Sequence, residues 1–451
     1  MHMNRDLTQG PVMRSMLLFS VPMIVGNLLQ QGYNIADTLI VGRFLGSHAL
    51  AAVGSSFTLM TFLTSILLGL SMGSGALFSI RFGQRDERAL KESIRAAFVL
   101  IAGVTLLLTA ASFACLEKLR GFLRVPGEVW PLMRAYLLVI FCGIPATFLY
   151  NFFASLLRAV GNSIVPLIFL AGSAALNIAL DLALVIGLRR GVAGAAEATV
   201  IAQALSGAGI AVYALARCPQ LRGIHRDWHV HPRAVRQVAG FSLLTCVQQS
   251  IMNLGILMVQ GLVNSFGATV MAAFAAAVKI DAFAYMPVQD FGNAFSTFIA
   301  QNYGAGKQER IRAGLRGAVL TSVGFSVAVS ALVCAFAPAL MGLFVPPGET
   351  GIIAEGVRYL RIEGAFYCGI GCLFLLYGFY RALGRPGVSV VLTVISLGTR
   401  VALAYALSAV PGIGIGVVGI WWSVPIGWLL ADAAGAAYCL ARKRTLLEGK
   451  A

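Results

Sequence analysis

The sequence predicts an all-α polytopic membrane protein: twelve transmembrane helices in two six-helix bundles, related by a pseudo-twofold axis along the membrane normal. Three observations predict it. The 451-residue chain is 58% hydrophobic and only 12% charged, too little polar surface for a soluble protein of this size. Apolar runs long enough to cross a bilayer recur along its whole length. The second half also echoes the first, in order, at an offset of 221 to 225 residues. A closed β-barrel would show short alternating segments instead, and none appear.

The spans follow one another with short connections. The first, 15–41, holds a single charge, Asp37, in "QQGYNIADTLIVGR", and a proline, Pro22. Burying that carboxylate costs roughly 2.5–3.5 kcal/mol on insertion scales. Spans two and three cover 50–80 and 92–114, and span four, 131–157, carries Tyr136 and Asn151. Span five, 163–187, contains "NIALDLALVI", with Asn177 and Asp181 four residues apart on one helix face. Span six, 192–216, opens on "GVAGAAEATVIAQ" with Glu197 and Thr199. Span seven, 237–263, holds Gln248, Gln249 and Asn253, and span eight, 270–300, holds Lys279 and Asp281. Spans nine to twelve cover 313–337, 355–381 with Glu363, 387–410 with Arg400, and 416–440 with Asp432.

The repeat carries the domain organisation. "LRAVGNSIVP" (157–166) resembles "YRALGRPGVS" (380–389), and "GVAGAA" (191–196) resembles "GVVGIW" (416–421). Six spans per half is an even number, so both halves enter the membrane in the same orientation. We therefore expect an N-terminal lobe at 1–216, a basic linker at 217–236 and a C-terminal lobe at 237–451, with a cleft between the lobes.

The net charge of +16 reports orientation. Taken alternately, the connections that include both termini hold 23 of the 34 Lys and Arg, and the opposite set holds 7. The positive-inside rule then puts both termini in the cytoplasm, with the bilayer as the main partner and no role for nucleic acid. No cleavable leader precedes the first span. The five histidines, His2, His48, His225, His229 and His231, lie in tails or connections, and the eight cysteines are scattered, so neither a metal centre nor a hydrolase is expected. A phosphate-cradling G-x-x-x-x-G-K-[ST] loop is also missing, so no ATP or other cofactor is expected.

Span order brings the polar residues to one depth. Spans one and five run outward and spans four and six inward, so Tyr33, Asp37, Tyr136, Asn177, Asp181 and Thr199 all fall in the outer third of the first lobe. Two nearby carboxylates away from water cannot both ionise cheaply, which favours a proton or a small cation between them. Met23, Asn27, Gln30, Asn151, Gln248, Gln249, Asn253 and Arg400 are weaker candidates for a cavity wall, since Met and amides adapt to varied ligands. Arg400 could instead pair with Asp281 or Glu363, and Glu197 and Asp432 could be cavity residues or partners between helices.

The first span with its exit, "FSVPMIVGNLLQQGYNIADTLIVGRFLGSHALAAVG", and "FAYMPVQDFGNAFSTFIAQNYGAGK" at the eighth resemble the multidrug and toxic compound extrusion (MATE) family over nearly the whole chain. The resemblance implies an antiporter that exports cationic or lipophilic drug-like compounds in exchange for H+ or Na+, as a monomer in the inner membrane. It also implies that Asp37, Asn177, Asp181, Thr199, Tyr33 and Tyr136 form the cation site, with Na+ the one metal it would admit, and that Pro22 is a point of helix bending. The alternative, a lipid-linked precursor flippase of the same superfamily, would favour a basic cleft. The repeat partners of Asp37, Asn177 and Asp181 fall near Met258 or Val259, at Arg400 and at Ala404, so this acidic layer is not duplicated.

Overall fold

A computed structural model describes residues 6–122, 125–223, 230–409 and 415–442. His2, His225 and His229 lie outside these residues, as does part of the expected linker. The described residues form fourteen α-helices and no strand. The first six are α1 (Val12–Leu45), α2 (Ser47–Gly83), α3 (Glu87–Phe122), α4 (Trp130–Cys142), α5 (Ile144–Ala159) and α6 (Ile164–Asp181). They are followed by α7 (Gly191–Arg217), α8 (Pro232–Asn264), α9 (Ala268–Gly304) and α10 (Gln308–Gly342). The last four are α11 (Thr350–Gly364), α12 (Tyr367–Ala382), α13 (Pro386–Ala409) and α14 (Val417–Ala441).

Ten of these helices are long and apolar enough to cross a membrane alone, and two bent pairs bring the count to twelve. The predicted spans four and ten are therefore not single straight helices. Helices α4 and α5 meet at 44°, and α11 and α12 at 50°. The first break has a local cause. Pro145 cannot donate to the carbonyl of residue 141 and would clash with it, so the chain ends one helix at Gly143 and starts another with proline in its first turn. The second break follows Gly364 and contains no proline. Span five ends in another irregularity, since α6 stops at Asp181 and the chain continues as a π-helix over Leu182–Gly187. Helix α1, by contrast, runs unbroken through Pro22.

The chain divides into two compact units, one built on Val21–Cys246 and the other on Leu7–Ser20 with Val247–Ala451. It changes unit inside two helices, α1 between Ser20 and Val21 and α8 between Cys246 and Val247. The first unit is held by phenylalanines. Phe98, Phe148, Phe152 and Phe153 meet with ring centroids 5.3–5.8 Å apart, each pair worth about 0.5–1.5 kcal/mol beyond area burial. In the second unit Phe274 stacks on Trp421 at 5.5 Å, and Tyr359 meets Trp421 edge-on at 4.9 Å. Outward-facing side chains are apolar as well: Leu107 is 69% exposed and Leu320 75%. A surface of that kind suits lipid and not water.

Where lipid removes the hydrophobic drive between helices, small residues set how closely they approach. Within the first unit, Gly69 and Gly73 sit one turn apart on α2 and face the backbone of α8. A Cβ built at Gly69 would lie 2.6 Å from the Cα of Cys246, and one at Gly73 would lie 2.6 Å from the Cα of Ser242. Both neighbours are backbone, which cannot swing aside. We expect Gly73→Val to destabilise the folded protein by about 1–3 kcal/mol, seen as a lower thermal midpoint in detergent. Gly103→Ala on α3, with nothing within 4 Å of its Cβ, should leave the midpoint unchanged or slightly higher.

Candidate functional site

The site in the first unit is assembled from four helices. Helix α1 contributes Tyr33 and Asp37, α4 Tyr136, α6 Asn177 and Asp181, and α7 Thr199. Asp37 and Asp181, 144 positions apart in sequence, bring their carboxyl groups within hydrogen-bonding reach of each other. Both groups are acceptors when ionised, so a hydrogen bond between them forms only with a proton on one of them. Asp181 is fully buried and Asn177 is 3% exposed, whereas Asp37 and Thr199 are half-buried. Oδ1 of each acid is buried and meets no donor from the protein's N–H and O–H groups.

Asn177 and Thr199 hold one wall. Oriented so that both amide atoms find complementary partners, Asn177 donates to Asp181 Oδ2 at 3.3 Å and accepts from the Thr199 N–H at 3.2 Å. The Thr199 hydroxyl lies 3.3 Å from the Asn177 amide and donates to the Ala195 carbonyl at 3.1 Å. Tyr33 is within hydrogen-bonding reach of Gln30 and within electrostatic reach of Asp37, and the 8%-exposed Tyr136 is within electrostatic reach of Tyr33 and both acids. All six residues singled out in the sequence therefore share one neighbourhood. Among the described residues neither acid forms an ion pair, and no group of three or more His, Cys, Asp or Glu is arranged to hold a metal. Glu197 is not in the cluster; it pairs with Arg190 at 2.9 Å.

Beside this cluster lies a cavity of about 520 Å3 between α1 and α6. It is lined by Val25, Leu28, Leu29, Gly32 and Tyr33 on one side and by Ala171, Ala174, Ala175 and Ile178 on the other. Its wall is apolar, and Tyr33, one turn from Asp37, is its polar edge. None of Met23, Asn27, Gln30 or Asn151 is among these lining residues. The Asn151 amide donates to the Thr147 carbonyl of its own helix at 2.8 Å, and the Gln30 side chain is engaged with Tyr33. In the second unit Gln248 is 2% exposed, and Asn253 donates to the Gln249 carbonyl at 3.3 Å.

A second polar cluster, missed as a cluster in the sequence, lies in the second unit. Asp281 on α9 accepts from Tyr359 at 3.0 Å and from Tyr367, and its carboxyl group lies within hydrogen-bonding reach of that of Glu363. Arg400 on α13 is close enough to act on both acids electrostatically, but its Nε is buried without a partner and it forms no direct ion pair among the described residues. The signal was available: Tyr359 and Glu363 stand four residues apart on one face of α11, and Tyr367 follows four further on at the start of α12.

Comparison with known proteins gives the same class from the whole chain. The MatE family model matches twice, over residues 22–183 and 243–406, the second match starting 221 residues after the first. The chain is 30% identical over 433 residues to a probable multidrug resistance protein, YpnP, of Bacillus subtilis, covering 96% of each. It is 24% identical to the multidrug export protein MepA of Staphylococcus aureus, covering 98% of this chain and 96% of that one. Among solved structures, an outward-facing multidrug resistance MATE family transporter superimposes with a TM-score of 0.92 at 23% identity, over 99% of this chain and 98% of that one. A MATE structure in a bent conformation gives 0.91 at 23% identity, over 98% of each chain. Fold and relatives together define a multi-pass helical membrane transporter of the multidrug efflux class. The chain belongs to the MatE family.

The Asn177–Thr199 contact makes one prediction. Thr199→Val keeps the shape but removes the hydroxyl and should lower stability by about 1 kcal/mol, read as a depressed thermal midpoint. Thr199→Ser should restore most of it.

Proposed function

We propose that the protein is a secondary active antiporter that exports cationic or lipophilic drug-like compounds in exchange for H+ or Na+. The observation that carries this reading is the close approach of the Asp37 and Asp181 carboxyl groups beside an apolar cavity, with no base paired to either acid among the described residues. Such a pair binds one monovalent cation more readily than none, and its oxygens, with those of Asn177 and Thr199, suit a proton or Na+ equally. Tyr33 is shared by the acid cluster and the cavity wall, so cargo in the cavity and an ion at the acids compete through one side chain.

Exchange follows if ion and cargo favour different access states. Each then weakens the other's hold, and the coupling is reciprocal. Met23, Asn27, Gln30 and Asn151 remain proposed secondary contacts for cargo in the N-terminal lobe, and Gln248, Gln249, Asn253 and Arg400 in the C-terminal lobe. Pro22 is the proposed point at which α1 bends. The Lys and Arg bias of the connections supports an inner-membrane protein with both termini cytoplasmic, and we take it to act as a monomer without cofactor. The flippase alternative finds no support in relatives described as multidrug resistance and export proteins.

Reconstituted protein should expel a cationic dye when a pH gradient or an Na+ gradient is imposed, and the gradient that works names the ion. Asp37→Asn and Asp181→Asn should each cut that efflux about tenfold or more at unchanged expression and monodispersity. Intact efflux in both variants would end the proposal. Dye retention with lipid flipping would put the flippase first.

A further inference from the structure

The exit of α9, "QNYGAGK" (301–307), does not touch the acid pair, yet two of its polar residues are completely buried. Gln301 and Asn302 are each 0% exposed, and their amides face the segment that precedes α1. Gln301 Oε1 accepts from the Leu7 N–H at 3.1 Å, and Asn302 Nδ2 donates to the Leu7 carbonyl at 3.2 Å. Lys307 Nζ donates to the Thr8 carbonyl at 2.7 Å. Arg310 donates to the Leu7 and Gln9 carbonyls from Nη2, each at 3.1 Å, and to the Gly10 carbonyl from Nη1 at 2.7 Å. Its Nε donates to Asn302 Oδ1 at 3.0 Å, and its guanidinium lies over the Phe298 ring at 5.7 Å.

Four consecutive main-chain carbonyls, residues 7 to 10, are thus captured by three side chains. Charged donors make the stronger hydrogen bonds, and the planar guanidinium fork fixes direction as well as contact. The Leu7 side chain is fully buried and pins the segment further. Gly10, at φ +73°, supplies the left-handed turn that lets the carbonyls converge before α1 begins at Val12. All of these residues belong to the second unit, while α1 passes into the first unit after Ser20, just before Pro22. The helix that carries Asp37 is therefore rooted in one unit and makes its acid contact in the other.

We propose that Gln301, Asn302, Lys307 and Arg310 are positioning residues for transport: they latch the root of the Asp37 helix, so that a change at Asp37 is taken up within α1 and not lost by sliding of its end. This rests on Asp37 and Asp181 being the coupling pair. With the root fixed, the weak point of α1 is Pro22, where a backbone hydrogen bond is missing. Recognition is by main-chain carbonyls, so the latch reads the path of the segment more than its side chains.

The test uses the full chain in proteoliposomes, with Arg310→Ala on one side of the latch, Gly10→Val on the other, and Arg310→Lys as the conservative variant. Three quantities are read: hydrogen exchange of the peptide spanning residues 6–14, dye affinity at equilibrium, and turnover of gradient-driven efflux. Arg310→Ala and Gly10→Val should each speed exchange about tenfold or more. They should lower turnover roughly threefold to tenfold, as a gating defect would. Dye affinity should stay within about twofold of the parent, which separates a positioning role from damage to the cavity. Arg310→Lys should fall between parent and alanine in both exchange and turnover. Faster exchange with parental turnover would reduce the latch to a structural contact, and unchanged exchange would show that it does not hold the segment; either overturns the proposal. A parent protein that moves no dye under either gradient overturns the exporter reading, and the latch's part in transport with it.

Discussion

Two carboxyl groups within hydrogen-bonding reach of each other, among apolar helices, set the terms for the rest of the first unit. An isolated carboxylate is costly there, and a second one beside it doubles the problem unless something positive lies between them. Among the described residues no arginine or lysine pairs with either acid; the ion pairs nearby, Arg190–Glu197 and Arg134–Glu117, are made by other residues. The surroundings answer by fixing the acids in place without neutralising them. Asn177 and Thr199 brace Asp181 from one side, and Tyr33 and Tyr136 stand within electrostatic reach of the acids. The π-helix after Asp181 belongs to the same arrangement. An extra residue in the turn shifts the helix register just beyond the acid, a distortion more often found at working sites than in plain packing.

Close packing is what allows such a pair to stay at hydrogen-bonding distance. Helices in lipid gain little from burying apolar area, so contact depends on how nearly backbones can approach. Gly69 and Gly73 do this for α2 and α8, and Gly207 does it for α7, where a Cβ would lie 2.7 Å from the Ala146 carbonyl oxygen. The phenylalanine cluster then fills the wider gaps. Small residues at crossings and large aromatics between them give a rigid lobe, and a rigid lobe can keep Asp37 and Asp181 together across four helices.

The spans were legible because hydropathy is summed over twenty or more residues and tolerates local error. Asp37 and Asp181 were legible for the opposite reason: a single charge in such a run has no cheap explanation. The break at Gly143 was written in the sequence as Gly-x-Pro, but an apolar count takes no notice of a missing N–H. The unit boundary inside α1 was not legible, because nothing in the composition of residues 12–45 changes at Ser20. That boundary exists because the segment before α1 is bonded to residues some 300 positions later. The local partners of the amides were not legible either. Asn151 and Asn253 look available in the sequence, yet each spends its side chain on its own helix.

The two halves of the duplication have kept a fold and exchanged a charge solution. In the first unit, spans one and five carry the acids and no base answers them. In the second, the position corresponding to Asn177 is Arg400, and the acids stand elsewhere, on α9 and α11, as Asp281 and Glu363. Two tyrosine hydroxyls donate to Asp281, and a guanidinium lies within electrostatic reach, so much of the negative charge is already balanced by fixed groups. A site balanced by its own side chains gains less from an arriving cation than one that is not. The second unit buries three acids, Asp281, Asp290 and Glu363, where the first buries Asp181 with Asp37 half-buried. Yet among the described residues it is the second unit's pair that has an arginine within electrostatic reach and the first unit's that has none.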